Sequence, residues 1–334
     1  YDGNNISSRW GLDGMVRITK IPQRLACVLD DLIDFKNKSS AVVEEGLPII
    51  ITGAPRSATT TLEEIFNSNS VFLHHEPFIK NTLLWKKQSE IKTDSAIYDK
   101  AVITSIHQSI LSGKSWSNYR KAGRWYPYVT KMALHKSLPL KPRRVIIKDP
   151  GISFCLDEIA PLLGEHIGII FMRNPLSIVT SLKRLNWDPI QRLELIYTHP
   201  YFKRFDIHKA NISLDKIRVM QPIERMALQT SLLHHFMRKH AEQLPNYSIV
   251  YMESLFSNPF SNISELSNKL GFSANYIKET HIAAITTRDI HPITKHSFKR
   301  QSSQYIKYWE NKITNEECAI INNYYSLFNN PYQQ

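Results

Sequence analysis

The sequence predicts an α/β fold: a single domain built on a P-loop-like parallel β-sheet with helices on both faces. Three observations predict it. Five short apolar runs, rich in Val and Ile, are spread along the chain, as buried parallel strands are. Stretches with apolar residues at helical spacing separate them, the alternation that winds a sheet on both sides. The first run breaks off at Gly53-Ala54-Pro55 into small polar residues just before a helical pattern, the layout of a loop that grips an anion.

Taken in order, residues 1–45 read as a polar N-terminal extension with one helical pattern, Pro22 to Phe35, and residues 46–330 as the domain. Strands are expected at Leu47–Thr52, Val71–Leu73, Arg144–Lys148, Ile167–Met172 and Ser248–Met252. Helices are expected at Thr59–Asn67, where Leu62, Ile65 and Phe66 share a face, at Ser95–Leu111, and at Leu176–Leu185, with Ile178, Leu182 and Leu185 in register. A fourth runs from Pro222, a residue suited to a first helical turn, to Leu244. Two stretches, 116–128 (WSNYRKAGRWYPY) and 186–205 (NWDPIQRLELIYTHPYFKRF), read as aromatic, basic loops that could stack on an acceptor.

The 334 residues are 42% hydrophobic and 22% charged, enough apolar material for a large core. Forty-two Lys and Arg against 30 Asp and Glu leave +12, which favours anionic partners. No Cys/His finger or RNA-binding signature accompanies the charge, which argues against nucleic acid. The three cysteines, Cys27, Cys155 and Cys318, lie far apart without metal spacing. They suggest a reducing, cytoplasmic compartment; since the sequence starts at Tyr1, a Golgi lumen is the alternative if an N-terminal anchor has been removed. No apolar run approaches the roughly 20 residues of a membrane helix.

A doubly wound sheet binds ligands where its strands stop. At the first strand end, Ser57, Thr59 and Thr60 offer hydroxyls, Arg56 a fork-shaped cation, and the helix its positive end. The same residues also suit a plain helix cap beside a surface arginine. At the fourth, Arg173 leaves the strand and Ser181 follows two turns into the helix, eight residues on, so the pair could close on one phosphate. At the third, Lys148-Asp149 could be read as the magnesium-binding end of a kinase or ATPase. The first loop, however, lacks the lysine that a triphosphate loop needs.

GAPRSATTTL (53–62) resembles the GxPRSGTTxL loop of sulfotransferases that use 3′-phosphoadenosine 5′-phosphosulfate (PAPS), and FMRNPLSIVTSLKR (171–184) resembles their 3′-phosphate motif. IIKDP and HHEPF resemble segments of the protein-tyrosine and Golgi carbohydrate branches, IVYMESLFSNP the family's Y-E-x-L-x-x-x-P segment, and residues 307–328 its C-terminal tryptophan-bearing helix. The matches run in family order from Pro48 to Phe328. The resemblance implies a PAPS-dependent enzyme that releases 3′,5′-ADP, needs no metal, and sulfates a hydroxyl-bearing acceptor, expected to be a glycan or glycoconjugate. Arg56, Ser57, Ala58, Thr59, Thr60 and Thr61 would hold the 5′-phosphosulfate, with Lys148 on the sulfuryl oxygens. Arg173 and Ser181 would hold the 3′-phosphate, and Lys299 and Arg300 would close over it. The implied general base is Glu76, with His75 and Asp149 as alternatives. One departure stands out: the family has Gly where this chain has Ala58, so the turn should either keep φ negative there or sit displaced. A kinase or ATPase and a non-catalytic nucleotide binder are the competing readings.

Overall fold

The computed structural model describes residues 46–66, 71–79, 97–111, 144–272, 306–307 and 309–328. The N-terminal extension, the aromatic stretch 116–128 and the pair Lys299 and Arg300 lie outside the described residues.

Five strands, β1 (Ile49–Gly53), β2 (Val71–His75), β3 (Arg144–Lys148), β4 (Ile167–Met172) and β5 (Tyr247–Tyr251), form one sheet in the order β2-β3-β1-β4-β5. Every pairing is parallel. Successive side chains of a strand face opposite sides, and both sides are covered. Ile50, Ile147, Ile170 and Met172 enter one apolar cluster, while Ile49, Ile51, Ile146, Ile169 and Phe171 enter the other. Burial on both faces is why these strands are continuous apolar runs and not alternating ones.

The helices are α1 (Thr59–Phe66), α2 (Lys100–Leu111), α3 (Leu156–Ile159), α4 (Pro175–Arg184), α5 (Ile190–Thr198), α6 (Pro200–Lys203), α7 (Leu214–Val219), α8 (Pro222–Gln243), α9 (Met252–Ser257), α10 (Pro259–Lys269) and α11 (Asn315–Ser326). α1 packs on one face through Leu62, Ile65 and Phe66. α4 and α8 cover the other, and α11 lies against both of them. Proline opens α4, α6, α8 and α10, where its missing N–H is not needed. No helix among the described residues is long and apolar enough to cross a membrane.

The expected strands, and the expected helices that fall within the described residues, are present, with ends moved by one or two residues in most cases and by five at the start of α2. Two readings are corrected. The stretch 186–205 is helical over α5 and α6, because Pro189 and Pro200 each precede or open a helix and Leu193 and Ile196 bury one face. Two of its aromatic side chains pack in the core: Phe202 and Phe205 are buried with ring centroids 5.4 and 4.8 Å from that of Phe236. Trp309, expected on the C-terminal helix, sits in a turn ahead of α11, which starts only after the N-cap Thr314, closed by a capping box with Glu317.

The order of the strands places β1 between β3 and β4, so the chain leaves β1 toward one side and later returns on the other. The carboxyl ends of β1, β3 and β4 therefore flank a single crevice, where such sheets hold ligands.

Candidate functional site

The loop after β1 cannot have a side chain at Gly53: a Cβ there would collide with the Phe171 carbonyl of β4 and lie 2.9 Å from the Ser57 Oγ. The chain then turns tightly, with the Ser57 N–H donating to the Ala54 carbonyl at 3.0 Å. Arg56 and Ala58 both take positive φ, 74° and 67°. Of the two alternatives for Ala58, a negative φ is excluded; the loop takes the glycine-type conformation with alanine in place. Left-handed residues within such a turn aim successive N–H groups into one concavity. α1 starts at once, presenting at Thr59 and Thr60 N–H groups that have no acceptor within the helix.

Ser57 is fully buried, and its hydroxyl has no hydrogen-bond partner among the described residues. A buried polar atom of this kind usually has a partner; here it lines the concavity of an anion-type loop. Thr59 and Thr61 are buried and Thr60 is partly exposed. This donor set fits a phosphate or sulfate group.

β4 delivers Arg173 to the same place. It is buried, and its Nη1 donates to the Arg56 carbonyl at 3.0 Å. The Arg56 Nε in turn donates to the Ser181 Oγ of α4 at 3.0 Å. The structure thus brings Arg56, Arg173 and Ser181 into one cluster spanning β1, β4 and α4. α4 is itself capped by the Asn174 side chain on the Leu176 N–H. That cap and the tight β4–α4 turn hold Arg173 beside the loop.

β2 and β3 complete the opposite wall. Lys148, buried at the end of β3, places its Nζ 2.5 Å from the Glu76 Oε1. Glu76 directly follows β2 and also has positive φ, 52°; its N–H donates to the Lys148 carbonyl at 2.6 Å. His75 stands behind Glu76, its Nε2 3.5 Å from Oε1. Its Nδ1 lies 2.7 and 3.0 Å from the two carboxylate oxygens of Glu63, on α1. Neighbouring His74 faces the other way, and burial pushes it down to about 3.

Asp149 differs from its neighbours. It is fully buried, and its oxygens accept the N–H groups of Phe78 at 2.6 Å and Gly151 at 2.8 Å. Burial pushes it up to about 7, against the opposing pull of those N–H groups and of Lys148. Its carbonyl also accepts the Thr52 hydroxyl at 2.8 Å. Asp149 ties the segment after β2, the end of β1 and the turn after β3 together, and neither oxygen faces the crevice open-handed. Among the described residues no group of three or more His, Cys, Asp or Glu side chains is placed to hold a metal ion.

Glu63 is the residue that motif reading missed. Its signal was present: it flanks the inward face set by Leu62, Ile65 and Phe66, so a carboxylate there is buried and needs a partner.

The family model described as "Sulfotransferase family" matches residues 48–276. Among solved structures, the chain is similar to the sulfotransferase domain from the curacin biosynthetic pathway, at 14% identity over 84% of this chain and 98% of that one, with a TM-score of 0.41. It is also similar to the sulfotransferase domain from the Synechococcus PCC 7002 olefin synthase, at 11% identity over 86% and 97%, with a TM-score of 0.40. A third is a sulfotransferase from Alicyclobacillus acidocaldarius, at 12% identity over 74% and 87%, with a TM-score of 0.37. No curated protein matches the sequence. The family match spans more than two thirds of the chain and contains the β1 loop, Glu76, Lys148 and Arg173: the chain belongs to the sulfotransferase family.

Proposed function

We propose that the chain moves the sulfuryl group of PAPS to a hydroxyl acceptor by in-line transfer. The reading is carried by the Arg56–Arg173–Ser181 cluster and the Lys148–Glu76 pair, which stand at the carboxyl ends of neighbouring parallel strands. Sulfuryl transfer, like phosphoryl transfer, leaves the protein mainly to position the groups and stabilise charge.

Ser57, Thr59, Thr60, Thr61 and the backbone N–H groups around Ala58 hold the 5′-phosphate, and Arg56 stabilises the negative charge that grows on it as the sulfur–oxygen bond breaks. Arg173 and Ser181 hold the 3′-phosphate, with Lys299 and Arg300 assigned there on motif resemblance alone. Lys148 meets the sulfuryl oxygens. Glu76 takes the acceptor's proton; its backbone is left-handed and its carboxylate meets Lys148. Asp149 acts through structure, holding the Phe78 and Gly151 segments between which Glu76 and Lys148 meet. The cations of the chain supply the charge stabilisation, so we read the reaction as metal-independent. The acceptor we infer is a carbohydrate hydroxyl, on the likeness of IIKDP and HHEPF to the carbohydrate branch.

The kinase reading loses its strongest residue, because Asp149 is fully buried and spends both oxygens on backbone N–H groups. Thermal unfolding tests the choice. A ligand bound only by the native state stabilises it by mass action. We expect 3′,5′-ADP to raise the melting temperature more than Mg-ATP or 5′-AMP. Equal or greater stabilisation by Mg-ATP overturns the proposal.

A further inference from the structure

Glu63 is buried, yet it belongs to none of the phosphate-holding groups. It stands one helical turn beyond Thr59, and both its oxygens face the His75 Nδ1 at 2.7 and 3.0 Å. When Glu63 is ionised its carboxylate can only accept, which places a ring proton on Nδ1; a neutral ring then turns its lone pair at Nε2 toward Glu76. That is the arrangement by which a buried carboxylate fixes an imidazole's tautomer in acyl-transfer triads. We propose that Glu63 and His75 form a proton relay behind Glu76, in which His75 takes the proton that Glu76 removes from the acceptor and Glu63 is the positioning residue that orients His75. The proposal rests on the PAPS-dependent reading above.

The distances agree with a relay at rest. The Nε2 of His75 and the Oε1 of Glu76 are 3.5 Å apart. With Glu76 ionised both atoms are acceptors, and two acceptors do not close to hydrogen-bond distance. Once Glu76 holds the proton, its O–H becomes a donor and the contact can shorten. The bond between acceptor oxygen and sulfur forms as the bond from sulfur to the 5′-phosphate oxygen breaks. The acceptor's proton passes to Glu76, then to Nε2, and the imidazolium that results is flanked by the Glu63 and Glu76 carboxylates until it loses the proton to water. Protonation of Glu76 also dissolves its ion pair with Lys148, so that the Nζ can turn to the sulfuryl oxygens when their charge is greatest. Because Glu63 and the phosphate-binding threonines share one short helix, α1, seating of the nucleotide loop and orientation of the relay are mechanically linked.

The test is single-turnover transfer from PAPS to the best-sulfated member of a panel of sugars, phenols and primary alcohols, with 3′,5′-ADP titrated in parallel, for the wild type, Glu63→Gln, Glu63→Asp, His75→Gln and the Glu63→Gln/His75→Gln double variant. Glu63→Gln should slow transfer by about tenfold or more, less than the 10²–10⁴ of losing the base itself, with 3′,5′-ADP affinity held within about twofold. Glu63→Asp, which keeps the charge, should recover most of the rate. Groups that act as one unit do not lose rate additively, so the double variant should be no slower than His75→Gln alone. Should Glu63→Gln fail to bind 3′,5′-ADP, a slowed His75→Gln beside an active Glu63→Asp supports the relay in its place. Wild-type rate in Glu63→Gln or in His75→Gln, equal loss of rate and nucleotide affinity, or multiplying losses in the double variant overturns the relay alone. Absence of transfer by the wild type overturns the PAPS-dependent reading, and the relay with it.

Discussion

Replacing Arg173 by alanine separates two roles that the structure gives one side chain. Its Nη1 anchors the Arg56 carbonyl at 3.0 Å, a role that any ligand of the loop would feel. Its charge is proposed to hold the 3′-phosphate, a role that 5′-AMP cannot feel. Hydrogen bonds involving a charged group are worth about 1.5–3 kcal/mol, and Arg173 is buried enough for that range to apply. Loss of the anchor should weaken 3′,5′-ADP and 5′-AMP alike, whereas loss of the phosphate contact falls on 3′,5′-ADP alone. The ratio of the two dissociation constants should therefore move by about 10- to 150-fold, since about 1.4 kcal/mol is a factor of ten. Calorimetric titration of both ligands into wild type and Arg173→Ala measures it. An unchanged ratio, however large the common loss, would refute the assignment and leave Arg173 as a loop anchor only.

Other expectations follow from the same geometry. Ala58→Gly removes the left-handed strain of an alanine, about 1–2 kcal/mol, against about 0.4–1 kcal/mol of added unfolded-chain entropy; the net should be a small gain in chemical-denaturation stability, whereas Ala58→Val should lose more than about 1 kcal/mol, and the reverse order would contradict the φ of 67°. Asp149→Ala strips the Phe78 and Gly151 N–H groups of their acceptor, and at about 1–3 kcal/mol for each buried group left unmet it should cost stability before it costs nucleotide contacts; a fully stable variant that has lost only transfer would instead make Asp149 the base. Acid stability has a definite sign. Burial holds His74 and His234 down at about 3 and His240 at about 4 and lowers His107, His166 and His235 as well, so below the unfolded value near 6.5 unfolding takes up protons at these rings, and the stability present above that pH is lost as pH falls. Asp149, raised to about 7, opposes this by one proton between about 4 and 7. More groups take up a proton on unfolding than release one, so stability should fall between about pH 7 and 5, readable from urea midpoints; a flat profile would contradict it.

Much of the sheet was legible because its strands are buried on both faces and so write themselves as apolar runs: β3 and β4 fall on their expected bounds. The site was legible where function sits directly on a strand end, at Arg56, Lys148 and Arg173. What escaped depended on contacts between distant segments. Residues 186–205 looked like an acceptor loop because their aromatic side chains are visible in sequence, while the α8 residue Phe236 against which Phe202 and Phe205 pack is not adjacent. Asp149 looked like a base or a metal ligand because nothing local shows that the Phe78 N–H, 71 residues away, will claim it. The backbone of Ala58 could not be settled by residue type, since alanine prefers negative φ and only the closure of the loop between β1 and α1 forces it the other way.

The most direct measurement is incubation of the protein with [35S]PAPS, EDTA and the same panel of sugars, phenols and primary alcohols, followed by separation of the labelled products. The account predicts a labelled sulfate ester formed in equimolar amount with 3′,5′-ADP, and its loss by about 10²- to 10⁴-fold in Glu76→Gln with 3′,5′-ADP binding intact. Tight binding of 3′,5′-ADP with no labelled ester from any acceptor would contradict it and mark the crevice as a nucleotide-binding site without transfer.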